Sequence, residues 1–241
     1  YATNSQGTAY GEQRTFKTLP ASDIVYGSLT DSRDENVYKT VTIGEQVWMA
    51  ENLAYLPEVS PSSSGSNIEP YYYVYGYQST NVSAAKATTN YNTYGALYNW
   101  PAAMTACPEG WHLPSDDEWT QLENYLIANG YNYDATTTGD KIAISMASTT
   151  GWAASDGSGA IGNTNTAYDA YRNMSGFTAL PGGYRGDDGT FDYIGYVGYW
   201  WSSTQDNTDY ACTRFLYHYR NDVDRFHFSK EDGYSVRCVR D

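Results

Sequence analysis

Basic residues are scarce in this chain of 241 residues: 14 Lys+Arg stand against 28 Asp+Glu, a formal net charge of −14. A protein that neutralises phosphates needs clustered cations, so the balance argues against a nucleic-acid partner. Charge of either sign is sparse too, at 17% of residues. No apolar run approaches the roughly 18 residues of a membrane-spanning helix, so no direct membrane insertion of this stretch is expected. Cysteine occurs only as Cys107, Cys212 and Cys238. Their wide spacing leaves no CxxC pair, which argues against a zinc ribbon or a thioredoxin-type redox site. The odd count leaves one pair and a remainder, or three free thiols. The three His residues show neither HxH nor HExxH spacing, so no metal centre and no cofactor is expected. An initiator Met and a signal peptide are missing as well, and Tyr1 is read as an internal cut in a longer precursor.

What the chain has in excess is tyrosine. There are 26 Tyr, aromatics make up 16% of the chain and hydrophobic residues 41%. That apolar content suffices for a packed core and argues against disorder. The surface it leaves is polar but mostly uncharged, as in an exposed β-rich protein. Residues 1–20 read as strand material, with a turn signal at Asn4-Ser5-Gln6-Gly7 between two short runs. Residues 21–30 read as a linker, and a second domain is expected over 31–241. There, Val37–Ile43 is β-prone, with Val37, Val41 and Ile43 on one parity. Gly44-Glu45 turns the chain into a returning strand at Gln46–Met49. Residues 57–93 read as a long ordered loop holding one strand within Tyr71–Tyr77. A strand is expected over Tyr94–Trp100, followed by a short helix over Pro101–Ala106, since Pro suits a first helical turn. The clearest helix follows Ser115-Asp116-Asp117-Glu118, a capping box. Trp119, Leu122, Leu126 and Ile127 recur at helical spacing, and Gly130 closes it. Asp116, Asp117 and Glu118 suit the positive end of the helix dipole. Glycine-rich loops fill 130–175, interrupted by an apolar run at Lys141–Ala147, and strands separated by Gly/Asp turns fill 176–241. The whole reads as α+β.

Several long strings carry a resemblance: TVTIGEQVWMAENLAY (40–55), YGALYNW (94–100), ACPEGWHLPSDDEWTQLENYL (106–126), SGFTALPGGYRGDDGTFDYIGYVGYWWSST (175–204) and GYSVRCVRD (233–241). The chain from 31 to 241 closely resembles the Fibrobacter succinogenes major paralogous domain. That resemblance implies a C-type lectin-like fold and a place on the outside of a bacterial cell, as part of a lipoprotein or similar protein anchored in the outer membrane through upstream sequence. Residues 1–20 resemble the closing hairpin of fibronectin type III-like modules. The family resemblance also implies a Cys107–Cys238 disulfide, with Cys212 left as a surface thiol. HLPSDDEW is similar to a string of formylglycine-generating enzymes. Those need a cysteine pair near the chain end, and the strings around Cys212 and Cys238 do not match, so no catalysis is expected. The EPN and WND strings of calcium-dependent lectins are absent. Asp187-Asp188-Gly189 with Asp192 reads as a turn with oxygen ligands suited to Ca²⁺ but without EF-hand spacing. His112 is read as a structural hydrogen-bonding residue, and Arg185-Gly186-Asp187 as part of a family turn.

The last segment separates into two sets. Arg214, Leu216, Val223, Arg225, Lys230 and the closing GYSVRCVRD match the family skeleton. Between them stand residues that the family leaves free, and the ligand-binding surface is placed on Tyr210, Thr213, Phe215, Tyr217, Tyr219, Arg220, Asp222, Asp224, Phe226, His227 and Phe228. If Leu216 points inward, strand alternation turns Phe215, Tyr217 and Tyr219 outward. A patch of this kind marks an interaction site; ordinary core aromatics under a loop are the alternative. Related C-type lectin-like proteins are targets of diversity-generating retroelements, and none of the free positions carries Trp, Met, Gln, Lys or Glu, as adenine randomisation of Asn codons requires. The expected function is a non-catalytic, adhesin-like surface domain that binds a protein or glycan on another cell or host surface. A structural tip module and a carbohydrate-active enzyme are the rivals.

Overall fold

The computed structural model describes residues 2–4, 7–9 and 24–241. Residues 10–23, on which part of the expected fibronectin-like stump and the start of the linker fall, lie outside the described residues. At the start of the chain β1 (Ala2–Asn4) and β2 (Gly7–Ala9) pair antiparallel, with Asn4 opposite Gly7. The turn signal at Asn4–Gly7 therefore does connect two strands.

The expected linker does not extend over its full range. Residues 26–30 form β3 (Tyr26–Thr30), which pairs along its whole length with β4 (Val37–Ile43). The domain sheet thus begins before residue 31. β4 turns at Gly44, whose φ of 64° suits glycine, into β5 (Gln46–Met49). The burial of β4 alternates: Tyr38 and Thr40 are buried, and so are Val41 and Ile43, while Val37 is exposed. Parity alone placed Val37 inside, but it sits at the strand's start, where no neighbour covers it. Both faces of this sheet are packed, so two parities are apolar where one was expected.

The stretch expected as loop holds more structure. β6 (Tyr72–Tyr73) is followed by two short helices, α1 (Val82–Lys86) and α2 (Thr89–Tyr94). Asn81 and Thr88 cap them with side-chain oxygens that accept from the N–H of Ala84 and Tyr91. Tyr94, expected in a strand, is therefore the last residue of a helix. Gly95 ends it at φ 76°, where an added Cβ would stand 2.6 Å from the Leu53 carbonyl oxygen. The strand that follows is only β7 (Leu97–Tyr98), paired with β6. Asn99 caps α3 (Trp100–Ala103), which starts one residue before Pro101 and stops short of Ala106.

β8 (Trp111–His112) leads into α4 (Asp116–Ala128), where the capping box is complete: Ser115 accepts from Glu118 N–H, and Glu118 accepts from Ser115 N–H. Trp119, Leu122 and Leu126 are buried as the spacing requires. The apolar run at 141–147 contains α5 (Ala143–Met146). The hairpin β9 (Tyr184–Arg185) and β10 (Phe191–Asp192) precedes a three-stranded meander of β11 (Val197–Gln205), β12 (Tyr210–Tyr217) and β13 (Asp224–Ser229). The last strand, β14 (Val239–Arg240), enters the first sheet between β5 and β8, giving the order β3-β4-β5-β14-β8.

Two cores result. One gathers Trp48, Trp119, Phe177 and Trp200 under α4, with Trp48 and Trp119 ring centres 4.8 Å apart. The other gathers Tyr98, Tyr199, Trp201, Phe215 and Tyr234. Cys107 and Cys238 are bonded, as the resemblance implied, with Cα atoms 5.9 Å apart across 131 residues.

His112 clasps the base of this arrangement. Its Nδ1 lies 2.6 Å from Asp241 Oδ1 and its Nε2 2.7 Å from Glu118 Oε1. Burial disfavours the charged ring, but the two carboxylate bonds outweigh it and raise the His112 pKa. Glu118 is lowered: burial works upward, and the Ser115 N–H and His112 bonds overcome it. A raised folded-state pKa means that the His112 contribution is complete below its unfolded value of about 6.5 and fades as pH rises through the folded value. Glu118 adds its share above its own unfolded value and loses it on acidification. Urea unfolding between pH 5 and 9 should therefore show the wild type losing stability above pH 6 relative to His112→Gln. The difference should stay within about 1 kcal/mol, because the clasp is partly solvated. Parallel curves would remove the clasp from the pH dependence.

Candidate ligand-binding surface

The meander sheet sorts the last segment by parity. In β12, Cys212, Arg214 and Leu216 face α4, and Thr213, Phe215 and Tyr217 face away from it. Register pairs Thr213 with Phe226, Ala211 with Phe228 and Tyr199 with Phe215. Two arginines hold the α4 side. Arg214 is buried and binds Asp116 Oδ1 at 2.6 Å and Glu123 Oε1 at 2.5 Å, and Arg225 adds a fork onto Asp116. The same Asp116 therefore ties β12 and β13 to the first turn of α4.

On the opposite side the rings run continuously. Tyr219 stacks on Tyr217 at 5.2 Å, Tyr217 meets Phe215 edge-on at 5.6 Å, Phe215 meets Phe228 at 5.8 Å, and Phe228 meets Phe226 at 5.2 Å. The two ends are exposed, Tyr219 at 53% and Phe226 at 60%. The middle is not. Phe215 and Thr213 are buried, and Tyr217 is half-buried with its hydroxyl 3.0 Å from that of Tyr199. The expected outward display of Phe215, Tyr217 and Tyr219 is thus corrected: only Tyr219 is largely exposed. Alternation assumed one solvent-facing side, whereas Tyr199 and Phe228 pack against Phe215 and Tyr234 stacks on Tyr199, so that side belongs to a second core.

The remaining expected residues take varied positions. Arg220 forks onto Asp222, with Nε to Oδ1 at 2.7 Å, and reaches Asp224 at 3.1 Å. This knot shapes the loop between β12 and β13. His227 stands on the other parity from Phe226 and Phe228, with Nδ1 3.3 Å from Asp206. Tyr210 is 46% exposed at the far end of β12. Cys212 is corrected too. It is free, as expected, but buried beside Arg225 rather than at the surface. Burial pushes its thiol pKa up, which makes it a poor nucleophile.

The sequence reading overlooked a groove of about 310 Å³ beside this ring chain. Its walls include Tyr184, Tyr199, Tyr234 and Phe228, and its rim includes Asp187 and Asp188 of the β9–β10 turn and Asp192 of β10. Tyr199 and Tyr234 stack at 4.7 Å, and Tyr184 meets Tyr199 edge-on at 5.3 Å. The hairpin docks here because Arg185 and Gly233 exchange backbone hydrogen bonds of 3.0 and 2.7 Å. Asp232, 7% exposed, accepts from the Tyr234 hydroxyl at 2.9 Å. Burial, with the Asp187 charge added, pushes its pKa up to about 7. The acidic rim of this groove lies in the string GGYRGDDGTFDY, whose Asp187, Asp188 and Asp192 suit a turn with oxygen ligands, but nothing in that string brings Tyr199, Phe228 and Tyr234 to it. Among the described residues no group of three or more His, Cys, Asp or Glu is placed to hold a metal ion. No described helix is long and apolar enough to cross a membrane.

Mixed short helices, small antiparallel sheets and an aromatic sheet edge define an α+β domain with a partly exposed aromatic cluster. The model of the Fibrobacter succinogenes major domain family matches residues 41–240, and the chain belongs to that family. No curated protein and no solved structure matches the chain.

Proposed function

We propose that this is a non-catalytic, adhesin-like ligand-binding domain of a bacterial cell surface, with a C-type lectin-like fold. It displays a variable aromatic surface from its C-terminal segment. The observation that carries the reading is the ring chain from Tyr219 to Phe226, rooted in the core and open at both ends. Rings held by core neighbours lose little further entropy on binding, and exposed apolar patches built from Tyr and Phe mark contact surfaces. The ligand is a protein or a glycan, since aromatic faces serve both. Export to an oxidising compartment, with anchoring through upstream sequence, agrees with the disulfide. The fibronectin-like stump and retroelement diversification of the free positions belong to the same proposal.

A protein and glycan array comparing wild type with the Tyr217→Ser/Tyr219→Ser/Phe226→Ser variant tests it. Phe215 is left intact because its truncation would open the core. Two anchors worth about 2 kcal/mol each predict a loss of apparent affinity on the order of 1,000-fold for any ligand found. Undiminished signal from a folded variant would place binding elsewhere. Wild-type turnover of a polysaccharide would favour an enzyme.

A further inference from the structure

We propose that the groove beside the ring chain is a subsite for a basic side chain, a lysine or arginine of a partner protein. Its cation would sit against Asp232 and its methylenes along Tyr184, Tyr199 and Phe228. The inference rests on reading the segment as a binding surface and names what that surface takes.

A row of acidic residues on a turn would not by itself define a site. Two further observations do. The first is the shared lining: the carboxylates line one groove with aromatic rings that can cover an aliphatic stem, and ring faces attract cations. The second is Asp232. It is more than nine-tenths buried, yet it lines the groove. Tyr234 occupies Oδ2, and among the described residues no side chain donates to Oδ1. The Asp187 N–H points at the same carboxyl.

The nearest guanidinium cannot neutralise it. Arg185 lies beneath the groove with its nitrogens bound to the carbonyls of Ser62, Ser64 and Glu231. On the rim, Asp188 accepts from the Thr190 N–H and Asp192 from the Thr190 hydroxyl, and Asp187 is exposed. The lining offers carboxylates and hydroxyls but no amide and no cationic head. An ammonium or guanidinium group only donates, and it matches such a lining. A sugar hydroxyl both donates and accepts, and finds few committed donors here. A net charge of −14 further favours a basic partner at the encounter stage.

The test is an amide-shift NMR titration of the whole chain with three probes at physiological salt. These are Nα-acetyl-lysine methylamide, its norleucine counterpart, which keeps the stem and lacks the ammonium, and a methyl glucoside. The lysine probe should shift signals of residues 186–192 and 228–234 saturably. Norleucine should bind at least about tenfold more weakly, and so should the lysine probe on Asp232→Asn, which retains an acceptor for Tyr234. Should that variant fail to fold, Asp187→Asn on the exposed rim decides, with a several-fold loss expected. Equal binding of lysine and norleucine, saturation by the glucoside instead, no saturable shift, or unchanged affinity in the folded variants would each overturn the proposal. The two readings fail separately. An array ligand without lysine binding sinks the subsite alone, and lysine binding without any array ligand sinks the adhesin reading.

Discussion

Replacing Arg237 by methionine is expected to lower stability by at least about 3 kcal/mol and the thermal midpoint by roughly 10 °C. Arg237 is fully buried. Its guanidinium donates to Asn52 Oδ1 at 3.0 Å, Met49 O at 3.3 Å, Thr178 O at 2.7 Å and the carbonyl of Phe177. It also lies 4.3 Å over the Phe177 ring. No carboxylate forms a salt bridge with it among the described residues. Burial pushes its pKa down to about 9, so the cation is kept in place by neutral acceptors and a ring. Methionine fills much of the volume and relieves the desolvation of the charge, the one effect that favours the variant. Against this stand the Met49, Phe177 and Thr178 carbonyls that lose this donor, at about 1–3 kcal/mol each, and the lost ring contact, while Asn52 Oδ1 keeps the Trp200 indole N–H. The acceptors come from two separate stretches, Met49–Asn52 and Phe177–Thr178, so their joint loss loosens the packing between them. Lysine should rescue little, because one ammonium cannot reproduce the planar fork. Urea unfolding with matched slopes is the measurement. A methionine variant within about 1 kcal/mol of wild type would show that the site repacks or hydrates.

Removing the Cys107–Cys238 bond should cost about 3–5 kcal/mol. The bond closes a loop of 131 residues between the turn after α3 and the approach to β14. A loop of that length constrains the unfolded chain by nearly 5 kcal/mol in the entropy model, and native strain or residual structure takes back a part. The effect should also be local. β14 has only two residues and is held through Val239 and Arg240, so its pairing with β5 and β8 should show the earliest loss of amide protection. Thermal unfolding of Cys107→Ser/Cys238→Ala, beside hydrogen exchange of residues 236–240, checks both. A change below about 1 kcal/mol would mean that the central position of β14 suffices without the cross-link.

Some elements were legible because their signals are local. The capping box at Ser115 and the period of Trp119, Leu122 and Leu126 named α4 within a turn of its observed limits. The glycine at 44 and the β-branched run before it named the β4–β5 hairpin. The helices α1 and α2 carried no such period. They are held by Asn81 and Thr88 caps and by one buried face each, around Ala85 and Tyr91. β3 was taken for linker because a short edge strand of polar and small residues looks like one until a partner defines it.

The sequence alone determined the family, the α+β composition and the alternation of side chains along β12. That alternation is a matter of parity, and parity is written in the order of residues. Only the tertiary structure decided what the second parity faces. Tyr199 of β11 packs beside Phe215, and Tyr234 of the closing segment stacks on Tyr199, so an aromatic that alternation directs outward is buried, while Tyr219 and Phe226 at the ends remain in water. The groove has the same origin. Asp187 and Asp232 are distant in sequence, and only the Arg185–Gly233 pairing brings them to one place. A single strand's pattern states which side chains share a face. It carries no information on the chain that will cover that face.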